Sequence, residues 1–266
     1  MHILLPLLLL QGLCFMSMGA PLARQVPPAK PKVFIIGLSK TGTTSLGDAL
    51  ELLNCTRSGW ADIWSRYLVH QALLPEPNLR PLISLSEQYQ AFEDLPRCLP
   101  QVYTEMSRIY PDAKFILSLR RNENVWLESM RKHAKAKLWE GHKRVYGAYQ
   151  VDGNEKIFLK TYLDHIRDVR AFFETKEMQG RGMEMIIDEL KVTDREKWQK
   201  LVDFLNIELD DGVITLGDFP KSNGNHLWIN NDPMGFVWMK YRLMFWIERG
   251  MVEFVDWLGW CTALMA

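Results

Sequence analysis

The stretch "KVFIIGLSKTGTTSL", residues 32–46, constrains the fold of this chain more than any other part of its sequence. An apolar run at residues 33–36 ends at Gly37, and apolar residues then recur at helical spacing over residues 46–53. This pattern predicts a buried strand, a turn that contains glycine, and an amphipathic helix. Such a turn directs backbone N–H groups and the positive end of the helix dipole at one point, so the stretch predicts an anion site.

The lysine of this turn stands at an unusual place for a phosphate-binding loop. A nucleotide-hydrolysing loop has the pattern G-x-x-x-x-G-K-[ST]. Gly37 and Gly42 have that spacing, but threonine follows Gly42, and the lysine is Lys40, inside the loop. A lysine there is placed to neutralise an oxygen close to the turn, such as the bridging oxygen of a short mixed anhydride. The predicted helix begins with three hydroxyl side chains, Thr43, Thr44 and Ser45.

Further along the chain, short apolar runs alternate with helical patterns. Runs at residues 89–92, 114–119 and 184–187 predict strands, and helical patterns occupy residues 58–74, 99–109, 120–139, 155–177 and 194–205. Strands that alternate with helices predict a P-loop-like α/β fold of three layers around a central parallel sheet. Right-handed crossovers then place Lys40, Asp94 and the arginines at 120 and 121 along one edge of that sheet, where open α/β folds bind ligands.

The charge composition does not favour a polyanionic partner. The chain has 266 residues, with 32 basic and 32 acidic side chains, so its net charge gives no argument for binding nucleic acid or another polyanion. No spacing of cysteine and histidine indicates a metal site.

Residues 1–19 are predicted to be a signal peptide or a signal anchor, and residues 20–31 a Pro-rich spacer. The apolar part is short for a membrane span, but cleavage and anchoring both stay open. Asn54 begins the sequon Asn-Cys-Thr, which predicts an N-linked glycoprotein. These features predict entry into the secretory pathway, to the Golgi lumen or membrane or for secretion.

The main α/β domain is expected at residues 32–235, followed by an aromatic and Met-rich tail at 236–266. The charges of the tail predict an amphipathic helix rather than a spanning one, packed on the domain or lying at a membrane surface. Cys55 and Cys98 are the cysteines within the domain. The sequence leaves open whether they form a disulfide or are two buried free thiols.

Three blocks of the sequence resemble the sulfotransferase superfamily whose donor is 3′-phosphoadenosine 5′-phosphosulfate (PAPS), and in particular its P-loop-type, fungal-like branch. "KVFIIGLSKTGTTSL" resembles the 5′-phosphosulfate loop, and "EDLPRCLPQVYTEMSRIYPDAKFILSLRRNENVWLES" resembles the middle of the family. "EKWQKLVDFLNIELDDGVITLGDFPKSN" is similar to the C-terminal signature of that branch. The blocks span residues 32–223 in the expected order.

The resemblance implies a set of donor-binding residues. The 5′-phosphosulfate would be held by Lys40, Thr41, Gly42, Thr43, Thr44 and Ser45, with Lys40 at the oxygen between sulfur and the leaving phosphate. The family holds the 3′-phosphate with an arginine that ends a strand and a serine on the next helix. Ser129 matches the serine. The strand position indicates Arg120 and the spacing to the serine indicates Arg121, so the resemblance does not decide which arginine binds the 3′-phosphate.

The catalytic base is expected in "EDLP". Cytosolic members of the family have a histidine just before Leu-Pro, and here Asp94 stands at that position with Glu93 beside it. A carboxylate performs this task where burial raises its pKa towards neutrality. The alternative role for Asp94 is to cap the following helix.

The resemblance therefore implies sulfonate transfer from PAPS to a hydroxyl or amine of an acceptor, which is a small molecule, a glycan or a protein, without a metal. A P-loop nucleotide kinase or hydrolase is the alternative enzyme, disfavoured by the absence of lysine at position 43. A non-catalytic nucleotide-binding protein on the same scaffold is the third hypothesis.

Overall fold

The central sheet consists of five parallel strands in the order β2-β3-β1-β4-β5. A computed structural model describes residues 31–60, 62–136, 139–207, 217–222 and 250. The strands are β1 (Val33–Ile35), β2 (Arg57–Ser58), β3 (Ala91–Phe92), β4 (Lys114–Leu119) and β5 (Gly182–Ile186). The predicted parallel α/β fold is confirmed.

Eight α-helices lie in the part of the chain that the structure describes. They are α1 (Thr43–Leu52), α2 (Asp62–Ala72), α3 (Arg80–Gln88), α4 (Pro100–Ile109), α5 (Glu123–Ala136), α6 (Glu140–Tyr146), α7 (Glu155–Phe173) and α8 (Asp194–Leu205). A short 3-10 helix, Lys176–Met178, follows α7.

The alternation of side chains along β1 divides the core into two layers. Phe34 and Ile36 pack on one face of the sheet with apolar residues from α2 to α7. Val33 and Ile35 pack on the other face with α1 and α8. Both faces of the sheet are covered, which explains why its strands are apolar runs without polar alternation.

Several element bounds differ from those predicted from the sequence. Neither α3 nor α6 was predicted. Pro75 and Pro77 indicate the end of the preceding helix, and α3 then begins with Pro81 in its first turn, where proline is tolerated. Helix α2 begins at Asp62, since Arg57 and Ser58 pair with β3 instead. The other predicted strands and helices are present: β4 and α8 have the predicted bounds, β5 begins two residues earlier than predicted, and the remaining bounds differ by a few residues.

Cys55 and Cys98 are both free and buried. They belong to the cores on opposite faces of the sheet, so they are two buried free thiols and do not form a disulfide. The predicted signal segment, the spacer up to residue 30 and the tail at 236–266, apart from residue 250, lie outside the described residues.

Candidate functional site

The loop between β1 and α1 packs so tightly against the ends of β4 and β5 that two glycines are required. A Cβ atom on Gly37 would lie 2.1 Å from Ser118 Oγ, and one on Gly42 would lie 2.7 Å from Ile187 Cγ1. Gly42 also has a φ of 97°, and Lys40 has a φ of 71°, both in the left-handed region. The sheet edge therefore fixes the path of the loop.

The backbone of this loop is arranged for an anion. Its carbonyl oxygens at Ser39 and Lys40 accept hydrogen bonds from Trp126 Nε1 at 3.0 Å and from Arg120 Nε at 2.8 Å. Helix α1 then starts after Gly42 without a side-chain cap from the described residues. Because the carbonyls are occupied and the first N–H groups of α1 are uncapped, the loop favours a negatively charged ligand.

The loop opens into a cavity of about 1010 Å³ at the carboxyl ends of the strands. Nine of the eleven predicted site residues line it: Lys40, Gly42, Thr43, Thr44, Ser45, Glu93, Asp94, Arg120 and Ser129. Chain segments that are far apart in the sequence thus face one space, as the positions of the strand ends predict.

Thr41, unlike the other residues predicted for the donor loop, does not line this cavity. Its side chain is fully buried, its Oγ1 donates to the Leu38 carbonyl at 2.7 Å, and it lies 2.6 Å from Ser118 Oγ. Its backbone N–H also donates to Leu38. Thr41 therefore ties the loop to β4 rather than facing a ligand.

The structure separates the two candidate arginines. Arg120 lines the cavity, with its Nε bonded to the Lys40 carbonyl. The Arg121 side chain is 40% exposed and does not line the cavity, while its backbone N–H donates to Asp188 Oδ1 at 2.8 Å. Arg120 is therefore the arginine that shares the cavity with Ser129 of α5.

Asp94 is not the cap of the next helix. Helix α4 begins at Pro100, and Leu99 occupies its capping position. Asp94 has a φ of 62°, and its Oδ1 accepts hydrogen bonds from the backbone N–H of Leu95 at 2.8 Å and from Ser39 Oγ at 2.9 Å. Asp94 thus connects the end of β3 to the loop that carries Lys40.

Glu93 is the more buried of the two carboxylates. Its Oε1 lies 2.9 Å from Arg57 Nη1, and its buried Oε2 accepts no hydrogen bond from the described residues. Burial first, and then the neighbouring Asp94, raise the pKa of Glu93 to about 7, although Arg57 acts in the opposite direction. A carboxylate with such a pKa is able to take up a proton near neutral pH.

Two residues that complete the loop side of the cavity were not predicted. Arg57 forms ion pairs with Asp48 and Glu51 of α1 as well as with Glu93. Ser222 lines the cavity, and its backbone N–H donates to Ser45 Oγ at 3.1 Å. Ser222 lies in the C-terminal block "FPKSN", whose resemblance could have identified it, whereas no sequence signal distinguishes Arg57.

A further group of side chains that line the cavity was not among the predicted donor-binding or catalytic residues. They lie before and within α2, in the last turns of α5 and just before α6: Trp60, Arg66, Lys132, His133 and Trp139. The basic residues of α5 differ in their surroundings. Lys132 faces the cavity, whereas Arg131 forms ion pairs with Asp152 and Glu155.

No group of three or more His, Cys, Asp or Glu side chains among the described residues is arranged to hold a metal ion. No helix in that part of the chain is long and apolar enough to cross a membrane.

Comparison with known protein families gives a match over the first part of the described chain. Residues 32–148 match a family model described as "Sulfotransferase domain". This range contains the loop, the two carboxylates, both arginines and Ser129. No curated protein matches the chain.

Proposed function

We propose that the protein transfers a sulfonate group from PAPS to a hydroxyl or amine of an acceptor, and the match of residues 32–148 to a sulfotransferase domain supports this proposal. One observation carries the proposal: a single cavity joins the Lys40 loop to the buried carboxylate of Glu93. Transfer of a group from a polyanionic donor to a neutral nucleophile requires both an anion site and a proton acceptor.

The loop residues fit the donor. The uncapped start of α1, together with Lys40 and the hydroxyls of Thr43 and Thr44, would hold the 5′-phosphosulfate. Arg120 and Ser129 would hold the 3′-phosphate. PAPS supplies the sulfonate and a bridging oxygen that leaves with the phosphate. Lys40 stabilises the negative charge that develops on that oxygen.

We assign proton removal to Glu93. The acceptor oxygen or nitrogen forms its bond to sulfur while the bond from sulfur to the bridging oxygen breaks, and the acceptor proton moves to the Glu93 carboxylate. The buried and unbonded Oε2 supports this assignment. Asp94 Oδ1 is already engaged by two donors, which supports a positioning role in which Asp94 orders Ser39 and the loop.

Binding and turnover test the proposal separately. Calorimetric titration of the full chain should show binding of adenosine 3′,5′-bisphosphate that does not depend on Mg²⁺, and ATP with Mg²⁺ should not compete. Labelled PAPS with a panel of phenols, sugars and amines should give labelled product. Mg²⁺-dependent binding of ATP would instead support a nucleotide kinase or hydrolase. Bisphosphate binding without turnover of any acceptor would support a non-catalytic binding protein.

Entry into the secretory pathway is part of the proposal. The sequon residue Asn54 is exposed in the turn that follows α1, so an oligosaccharide can be attached there without displacing the core. Expression of the full chain in insect cells should give a product whose mass falls on glycosidase treatment, and Asn54→Gln should remove that fall. An unglycosylated wild-type protein that fractionates with the cytosol would contradict the proposal.

A further inference from the structure

We propose that Arg97 is a positioning residue for the proposed base: its buried guanidinium fixes the turn that carries Glu93 and Asp94 and gives that turn a permanent positive charge. This inference rests on the proposed sulfonate transfer. It assigns a role to a buried cation that does not line the cavity and has no part in holding the donor. The hydrogen bonds and the charges around this side chain carry it.

Arg97 lies entirely inside the protein. It is only 1% exposed, and it is among the largest fully buried side chains of the described part of the chain. A buried charge is unfavourable unless hydrogen bonds and opposite charges compensate it. The groups that provide this compensation therefore indicate what Arg97 does.

Three hydrogen bonds tie Arg97 to the turn and to β2. Its backbone N–H donates to the Asp94 carbonyl at 3.0 Å, and its Nη1 donates to the Leu95 carbonyl at 3.2 Å. Its Nη2 donates to Ser58 Oγ of β2 at 2.8 Å. The carbonyl of the same serine accepts the backbone N–H of Glu93 at 3.2 Å. Arg97 and Glu93 are thus fastened to one residue of β2, so Arg97 helps to set the position of the base.

The charge of Arg97 persists at neutral pH. Burial lowers the pKa of Arg97 to about 10, although the negative charges of Asp94 and then Glu93 act in the opposite direction. Cys98 beside it stays a neutral thiol, because burial raises the pKa of that group. Electrostatic attraction is mutual, so the cation that these carboxylates stabilise favours their ionised forms in return.

Other charges act on the same base. After burial, Asp94 and Asp48 of α1 raise the pKa of Glu93, and Arg57 of β2 lowers that pKa. Besides Lys40 of the donor loop, the remaining charged or titratable side chains that line the cavity are Glu51, Arg66, Arg120, Glu128, Lys132 and His133. A bound polyanionic donor would raise the pKa of Glu93 further. Arg97 opposes that rise from inside the protein, where it takes no space from the ligands.

Carbon-13 NMR of the full chain, labelled at the glutamate side-chain carboxyls, measures the titration of Glu93 without an acceptor. Glu93→Gln identifies the resonance by its absence. Arg97→Met should raise the pKa of Glu93 by about half a unit or more, with and without saturating adenosine 3′,5′-bisphosphate, because a nearby positive charge is lost. Arg97→Lys keeps the charge and should shift the titration less.

Arg181→Met is the matched control. Arg181 also donates to backbone carbonyls, at Ser107 and Tyr110, but it precedes β5 and so lies at the end of the sheet away from the cavity. Its loss should leave the titration of Glu93 unchanged. Thermal melting of each variant checks that the protein folds.

Ser58→Ala tests the positioning separately. This change removes the acceptor of Arg97 Nη2 while the charge stays, so the pKa of Glu93 should remain close to that of the wild type. With labelled PAPS and the same panel of phenols, sugars and amines, kcat should fall several-fold for each acceptor that is turned over. Affinity for adenosine 3′,5′-bisphosphate should not change, because the donor loop is untouched.

The results that would overturn the inference are distinct from failure of the proposed function. A Glu93 titration that Arg97→Met leaves in place in a folded protein would refute it, and so would an equal shift in Arg97→Lys. If Arg97→Met does not fold, Ser58→Ala decides, and an unchanged kcat would refute the positioning role. Failure of the wild type to bind the bisphosphate would count against the proposed function instead, because the Glu93 titration is measured without any ligand.

Discussion

Arg57 Nη1 lies 2.9 Å from Oε1 of Glu93, and the same guanidinium reaches Asp48 and Glu51 of α1. One side chain thus connects the proposed base to the helix whose start faces the donor. Arg57 therefore ties Glu93 to α1 and opposes the rise in its pKa that burial causes.

The first prediction concerns this pair. Arg57 opposes the rise in the pKa of Glu93, which stands at about 7, so Arg57→Gln should raise that pKa further. The base acts when deprotonated, and the acid limb of the kcat/KM profile should therefore move to higher pH, by about one unit. Arg57→Lys keeps the charge and should move the limb less. A profile that Arg57→Gln leaves in place would show that Glu93 does not set the limb.

The second prediction separates the two carboxylates. Glu93→Gln should nearly abolish turnover while leaving affinity for adenosine 3′,5′-bisphosphate close to that of the wild type, because Gln keeps the shape but accepts no proton. Its penalty should be smaller for acidic phenols, which ionise without help. Asp94→Asn keeps an oxygen for Leu95 and Ser39 and should cost less than Glu93→Gln. The reverse order of the two penalties would transfer the role of base to Asp94.

The third prediction concerns the leaving group. Lys40→Ala should lower turnover for every acceptor by roughly 10²–10³-fold, the loss typical of one missing oxyanion donor. Because Lys40 acts on the donor side, the factor should not depend on the acidity of the acceptor. Rate measurements with a graded series of phenols provide the check, and a penalty that varied along the series would contradict the assignment.

The fourth prediction uses the neighbouring arginines as each other's control. Arg120→Ala should weaken binding of adenosine 3′,5′-bisphosphate by roughly 2–4 kcal/mol, as for one partner of a buried charge pair. Arg121→Ala should have little effect on that affinity, because Arg121 does not line the cavity. Calorimetry on both variants measures the difference. Equal losses, or no loss in either, would remove Arg120 from the donor site.

The fifth prediction concerns folding. His165 Nε2 donates to the carbonyl of Ile36 at 2.7 Å, just before the loop, and burial lowers the pKa of His165 to about 4. The unfolded chain, with a pKa near 6.5 at this residue, binds the proton more readily, so stability from His165 is present above pH 6.5 and is lost as the pH falls towards 4. The loss amounts to roughly 3 kcal/mol.

Denaturant unfolding of wild type and His165→Gln between pH 4 and 7 measures this effect. The raised pKa of Glu93 contributes a pH dependence of opposite sign, which is common to both proteins and cancels in their difference. The stability advantage of the wild type should grow with pH up to about 6.5. A constant difference over that range would exclude His165 as its source.

Sequence by itself determined the features that depend on local patterns. The six residues of β4, Lys114–Leu119, form the strand expected from an uninterrupted run that is buried on both faces. The glycines and hydroxyls around Lys40 indicated an anion loop because the turn geometry and the start of a helix are set by neighbouring residues. The strand ends then indicated which residues would meet at one edge.

Tertiary structure decided what depends on contacts between distant segments. The sequence did not decide whether Arg120 or Arg121 faces the donor site. In the structure, it is Arg120 whose Nε donates to the Lys40 carbonyl. Thr41 and Thr43 have the same side chain, but the Thr41 hydroxyl is hydrogen-bonded to the Leu38 carbonyl and to Ser118 of a neighbouring strand. Glu93 acquires its pKa of about 7 from burial that no local pattern records. Trp60 and Arg66 line the same cavity as Lys40 only because separate segments of the chain converge on the sheet edge, and this convergence is a property of the fold rather than of any one segment.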